Sequence, residues 1–321
     1  MVSNSSEADD VASDSPASTI SDETQSLWLG ALLLTGGFLA NTVQGALGKT
    51  AQETLSPGQF LWLLFVVALG GLLSVALWRK PDAFQVGWNA QIMPFYLLRA
   101  VFGLCGFYLF VWAAGLGSLV DATVLLNTTP VFIPVIGVVV LRQQIDLKLW
   151  GAIAIGFVGL LLVVQPGAAL LHEPANLLGL GAGFSAAVEF LTVRWLSKTQ
   201  SPLTQTLYYL VIGSVLMAPV ALWEWQSLTL STVAIIVAAA CAFLSFQLLL
   251  VRAYSYAEPH QIGAFQYTSV VFAAAIGWFF FSEVPNTIAL LGMLLICVGG
   301  AFSVYFERSP DPMDAPKTVE S

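Results

Sequence analysis

Glu189 is the one carboxylate set well inside an apolar run of this chain, the segment 177–196. At 1.5 Å per residue it lies roughly 10 Å from one end of that run and ~18 Å from the other. A charge at such depth in a bilayer costs a few kcal/mol, so the side chain belongs against a protein interior or a wet cavity. Two kinds of chemistry suit it: carrying a proton, or neutralising a cationic group on a bound solute. The structural alternative is a pair with a base such as Arg194 or Arg252, or a carboxyl buried in its neutral form. Ser185, Glu189 and Thr192 follow i, i+4, i+7 and share one helix face.

Other polar side chains in apolar surroundings extend the list. Asn41 and Gln44 are i, i+3 neighbours in the first run, and Gln247 sits inside the eighth. Asn127, Thr128 and Thr129 precede Pro130 and Pro134; proline removes a backbone donor and kinks a helix, freeing carbonyls toward a cavity. Gln266 and Tyr267, with Thr268 and Ser269, occupy the corresponding place in a later run. Tyr108 and Trp112, spaced i, i+4, are the aromatic candidates. The expected solute-binding set is thus Asn41, Gln44, Tyr108, Trp112, Asn127, Thr128, Glu189, Gln247, Gln266 and Tyr267, with Glu189 also the proton-coupling candidate. For any one amide or hydroxyl the bland reading is an interhelical hydrogen bond of about 0.6 kcal/mol. For the two aromatics it is packing or an interfacial anchor.

The elements that must position these residues follow from composition. A mean hydropathy of +0.82, with 57% hydrophobic and 9% charged residues, places the chain in a membrane. A spanning helix needs roughly 20 mostly apolar residues. The sequence predicts ten, over 27–47, 60–78, 92–115, 122–141, 149–164, 177–196, 203–223, 230–251, 262–281 and 287–306, with connections too short for a folded domain. Residues 1–26 read as a disordered acidic tail and 307–321 as a second tail. When the runs are threaded alternately, all but Lys49 of the 11 Lys and Arg fall on one side or within snorkelling reach of it. Arg99 and Arg194 are the two that must snorkel. The positive-inside rule makes that side cytoplasmic, with both termini there, in a multi-pass cell (inner) membrane protein.

Several chemistries drop out. No Gly-x-x-x-x-Gly-Lys-[Ser/Thr] loop is present, so no ATPase engine is expected. His172 and His260 lack a metal-ligand pattern, and His260 reads as an exposed loop histidine. The single cysteines Cys105, Cys241 and Cys297 read as core thiols. Bases are too few for nucleic-acid binding. The expectation is no enzyme, no cofactor and no metal, with a small-molecule substrate and the lipid bilayer as partners; the oligomeric state is not readable.

A repeat organises the runs. Residues 113–132 lie over 253–272 at a constant offset, pairing Ala113 with Ala253, Thr128 with Thr268, Val131 with Val271 and Phe132 with Phe272. After one inserted residue, Gly151 meets Gly292 and Gly159 meets Gly300. Five runs per repeat is odd, so the second copy is inverted, a design that in secondary transporters places the site near midplane between repeats. The expected fold is therefore an all-α membrane protein of ten helices in two inverted five-helix repeats, 27–167 and 176–306.

Segments 121–130 and 261–269, each followed by an apolar helix, a polar turn and the Gly-rich helices 150–159 and 291–300, carry a family likeness. The chain resembles the drug/metabolite transporter superfamily, EamA type, over residues 27–306. The resemblance implies secondary transport of a small organic solute by alternating access, driven by protons or by exchange. The alternatives are a membrane enzyme acting on lipid and a channel-like facilitator. The chain departs from the pattern where Pro130 has Val270 as its counterpart, so a proline-driven break is expected in the first copy only.

Overall fold

Inside hydrocarbon every backbone N–H must find its partner within the segment, so apolar runs of this length fold as helices. A computed structural model describes residues 16–79, 91–116, 119–140, 142, 144–166, 175–223, 225–281 and 285–307. Residues 1–15 and 308–321, and with them Arg308 and Lys317, lie outside the described residues, as do Lys80 and His172.

The helices are α1 (Pro16–Ala51), α2 (Pro57–Arg79), α3 (Met93–Leu116), α4 (Leu119–Leu126), α5 (Thr129–Val139), α6 (Leu147–Val164), α7 (Ala175–Ser197), α8 (Pro202–Trp223), α9 (Leu230–Tyr256), α10 (Pro259–Ile262), α11 (Thr268–Phe281) and α12 (Thr287–Glu307). A 3-10 turn, Gly263–Tyr267, separates α10 from α11. The first helix starts inside the acidic stretch assigned to a tail. Eight helical runs are long and apolar enough to cross a membrane, and Thr287–Ser303 is a shorter apolar helix. Their outer faces carry exposed Leu, Val, Phe and Trp, as a lipid-facing surface does. Cys105, Cys241 and Cys297 are exposed among them, which corrects the core-thiol expectation. A thiol is as well accommodated by acyl chains as by a core.

The fourth and ninth runs are each broken. In the first copy α4 gives way to α5 at Asn127 and Thr128; in the second, the 3-10 turn precedes α11. The break in the second copy, where no proline stands, was not expected. Its cause is shared by both copies. The hydroxyls of Thr128 and Thr268 donate to Leu125 O and Phe265 O, and those of Thr129 and Ser269 to Leu126 O and Gln266 O. These four bonds occupy equivalent places in the repeat. They take carbonyls that an uninterrupted helix would use, so paired hydroxyls, rather than proline alone, mark the break. The two breaks also adjoin: a Cβ on Gly263 would stand 3.8 Å from Pro130 and 3.8 Å from Ile133.

Packing pairs α1 with α9, α3 with α7, α6 with α12 and α2 with α8. Each pair is antiparallel. Gly30 meets Ala253 and Ala257 whereas Gly37 meets Phe246 and Leu250, and Gly156 meets Gly299 whereas Gly159 meets Gly292. Without a hydrophobic drive between helices in lipid, close backbone approach supplies the contact. A Cβ on Gly159 would lie 2.6 Å from Gly292 O, but one on Gly151 would meet nothing within 4 Å. Of the glycines read as a packing stripe on this helix, Gly151 therefore stands apart. Gly159→Ala is expected to cost about 1–3 kcal/mol by overpacking and Gly151→Ala next to nothing. Thermal unfolding of the two variants in detergent checks this, and equal midpoints would refute the packing account.

At one end, Gln59 closes a reciprocal pair with the connection before α9: its Nε2 donates to Gln226 O at 2.8 Å and its Oε1 accepts from Gln226 N at 2.9 Å. At the opposite end of α9, Arg194 of α7 donates to Tyr254 O at 2.7 Å and Ser255 O at 3.3 Å, and meets Glu258 Oε1 at 2.8 Å. It thereby satisfies carbonyls that a helix C-terminus leaves open.

Candidate functional site

The largest fully buried side chain is not apolar. Arg99 of α3 is 0% exposed, which overturns the expectation that it snorkels to an interface. Its Nη2 donates to Gln247 Oε1 of α9 at 2.8 Å and its Nη1 to Gln205 Oε1 of α8 at 3.3 Å. The guanidinium carbon lies 4.8 Å from the centroid of the Tyr209 ring, a cation–π contact with the face of α8 that also carries Gln205. Two carboxamide oxygens and a ring quadrupole therefore solvate this cation from two helices.

Glu189 enters the same cluster from α7. The Tyr209 hydroxyl donates to its carboxylate and also bonds to Gln247. What permits this is Gly103, one turn beyond Arg99 on α3. A Cβ there would stand 2.7 Å from Tyr209 Oη and 3.0 Å from the Glu189 carboxylate. Tyr209 thus spans the cluster, with its ring against the cation and its hydroxyl on the anion. The two charges face each other across it without an ion-pair contact: among the described residues the contacts within 4.0 Å are Lys148–Asp146, Arg194–Glu258 and Lys198–Glu258. Arg194 is accordingly not the partner of Glu189.

Aromatic rings continue from the cluster into the bundle. Tyr209 neighbours Phe65 and Phe243 at 5.2 and 6.5 Å between centroids. Phe190, next to Glu189, packs 5.7 Å from Tyr254 and 6.4 Å from Phe38, which is itself 5.6 Å from Phe246. The polar core is walled by apolar rings with little exposure.

Of the residues singled out by sequence, Glu189 and Gln247 come together here. Ser185 and Thr192 are buried on α7, and the Thr192 hydroxyl returns to Val188 O at 2.7 Å. Asn41 and Gln44 are half-buried on α1, with Asn41 about one turn beyond Phe38. Asn127 is buried and donates to Thr123 O at 2.9 Å within its own helix. Thr128 packs against α7, where a Cβ on Gly183 would come within 2.5 Å of its Oγ1. Gln266 and Tyr267 are buried in the 3-10 turn, and the Tyr267 ring lies over Gly156. Tyr108 is half-buried, edge-on to Phe107 at 5.8 Å, whereas Trp112 is 60% exposed and joins neither group. His260 is half-buried in α10 rather than in an exposed loop.

Sequence reading missed Arg99, Gln205 and Tyr209. Their signal is present: Gln205 and Tyr209 are i, i+4 on α8, and Arg99 and Gly103 are i, i+4 on α3. No single-helix pattern says that these faces meet.

Long apolar helices around an enclosed charged cluster define a polytopic membrane protein built to hold a polar group away from lipid. The chain belongs to the EamA-like transporter family, whose model matches it twice, over residues 28–165 and 173–305. It is 26% identical over 273 residues to the pseudopaline exporter CntI of Pseudomonas aeruginosa, covering 84% of this chain and 93% of that one. It is 27% identical over 247 residues to a riboflavin transporter of Vibrio cholerae, covering 76% and 80%. With an S-adenosylmethionine uptake transporter of Rickettsia bellii it shares 24% over 216 residues, covering 67% and 74%. One solved crystal structure superposes with a TM-score of 0.68 at 15% identity over 90% of this chain and 98% of that one, and so shares the fold. The family and these relatives are transporters, not enzymes.

Proposed function

We propose that the protein is a secondary active transporter of a small organic solute, working by alternating access about the Arg99–Tyr209–Glu189 cluster. The ten spans are α1, α2, α3, α4–α5 and α6, then α7, α8, α9, α10–α11 and α12, as two five-span repeats of opposite sense. The packing supports this arrangement. Exchanging the repeats turns the pair α1 with α9 into α7 with α3, and leaves α2 with α8 and α6 with α12 unchanged. The observation that carries the functional reading is that the buried charge cluster lies on the seam between the repeats. Arg99 and Gly103 come from the first, and Glu189, Gln205, Tyr209 and Gln247 from the second.

A rocking of one repeat against the other changes the contacts at this seam first. Asn41, Gln44, Asn127, Thr128, Gln266 and Tyr267 then line the route on either side of the seam. The bases place both termini in the cytoplasm, and the membrane is the cell (inner) membrane.

Glu189 is the coupling group in this reading. It faces Arg99 on α3, Tyr209 on α8, and Gln247 and Tyr254 on α9. In proteoliposomes the wild type should show saturable uptake, counterflow and a pH-dependent rate. Glu189→Gln should lower the rate at least about tenfold and flatten its pH dependence, since a carboxamide cannot exchange the proton. Non-saturating flux without counterflow would mark a channel instead. An unchanged rate and pH profile in the variant would remove Glu189 from coupling.

A further inference from the structure

Arg99 is buried, yet its charge has no direct answer. Its Nη1 and Nη2 reach only neutral carboxamides, and its Nε has no hydrogen-bond partner among the described residues. Arg194 also has an unpartnered Nε, but its Nη2 meets a carboxylate at 2.8 Å. A guanidinium presents five donors in a planar fork suited to a carboxylate. Leaving one buried and unmet costs the desolvation of that group. Across Tyr209, Glu189 holds the opposite charge and keeps 8% exposure where Arg99 has none.

Charge balance decides what this pair accepts. The empty cluster is neutral, one cation facing one anion. A solute carrying only a positive charge would add an unpaired charge to a low-dielectric interior, and so would one carrying only a negative charge. A solute with both charges adds none and can satisfy both residues. The rings of Phe38, Phe190, Phe246 and Tyr254 nearby offer apolar contact to whatever the charged end carries.

We propose that this cluster binds a zwitterionic, amino-acid-like solute, its ammonium on Glu189 and its carboxylate on Arg99, an assignment that rests on the transport reading above. On solute binding, the guanidinium's unmet donor gains an acceptor, and Tyr209 remains the spacer that keeps the two protein charges from collapsing onto each other.

Equilibrium binding to the purified full-length protein tests this with the 20 proteinogenic L-amino acids as probes. Each binder is compared with its amide, which lacks the carboxylate, and its N-acetyl derivative, which lacks the ammonium. At least one amino acid should bind saturably, with both derivatives at least about tenfold weaker, a loss of about 1.4 kcal/mol each. Glu189→Gln should erase the preference over the N-acetyl form, and Arg99→Gln the preference over the amide. If Arg99→Gln fails to fold, the derivatives and Glu189→Gln still decide. Binding of no amino acid, or equal binding of a derivative, overturns the assignment. The same probes in proteoliposomes separate the two readings. Binding without flux would sink transport but not the zwitterion site, and flux of other solutes without amino-acid binding would sink the site alone.

Discussion

Replacing Arg99 with Met should destabilise the protein by about 3–5 kcal/mol, the usual cost of stripping a buried charge of its counter-charge. The loss comes less from the methionine than from what it leaves behind. Glu189 remains enclosed with no cation facing it, and the Gln205 and Gln247 oxygens lose the donors they now accept from at 3.3 and 2.8 Å. The companion result gives this its force. Arg99→Met combined with Glu189→Leu should recover most of the lost stability, because apolar side chains of similar volume often replace a buried charged pair at no net cost. That double variant should still transport nothing. Unfolding midpoints in detergent, followed by flux on the variants that stay folded, check both halves. A single Arg99→Met variant as stable as the wild type would show that the two charges are not coupled.

Gly103→Val should abolish transport while leaving the fold in place. The added Cβ falls 2.7 Å from Tyr209 Oη and 3.0 Å from the Glu189 carboxylate, closer than real side chains approach. The Tyr209 hydroxyl and the carboxylate must therefore separate, and the link between the two charges opens. Displacements near 1 Å at a working site cost about 100-fold in rate, whereas the packing penalty is about 1–3 kcal/mol. The control is on the same helix. A Cβ on Gly106 would meet its neighbours at 3.4 Å or more, so Gly106→Ala should keep most of the activity. Initial uptake rates per folded protein separate the outcomes. Equal rates for the two variants would mean that the slot at Gly103 has no special function.

Much of the architecture was legible because membrane helices obey simple length and composition rules. Ten apolar runs were placed, and the structure draws helices through all of them. The repeat register was legible too, since Thr128 and Thr268 fell opposite each other. What that register implied was misjudged: attention to Pro130 and its missing counterpart hid the hydroxyl pairs that break both copies. The cysteines were assigned to a core for a related reason. In a bilayer an apolar side chain has no preference for inside over outside, so hydropathy does not say which way a helix faces.

Glu189 could be singled out from one sequence because a carboxylate deep in an apolar run is costly wherever the run goes. Arg99 could not, because its distance from the span end is compatible with snorkelling, and only packing shows that α7, α8 and α9 close over it. The sequence by itself determined that the chain crosses a membrane repeatedly, that it is a duplicated unit, and that one carboxylate lies at depth. Those follow from local transfer energies and from spacing along a single strand of residues. Only the tertiary structure decided that the carboxylate is faced by Arg99 across Tyr209, rather than paired with Arg194. That outcome depends on which helix faces meet, and Gly103 settles it by leaving room for two side chains from other helices where a methyl group would stand.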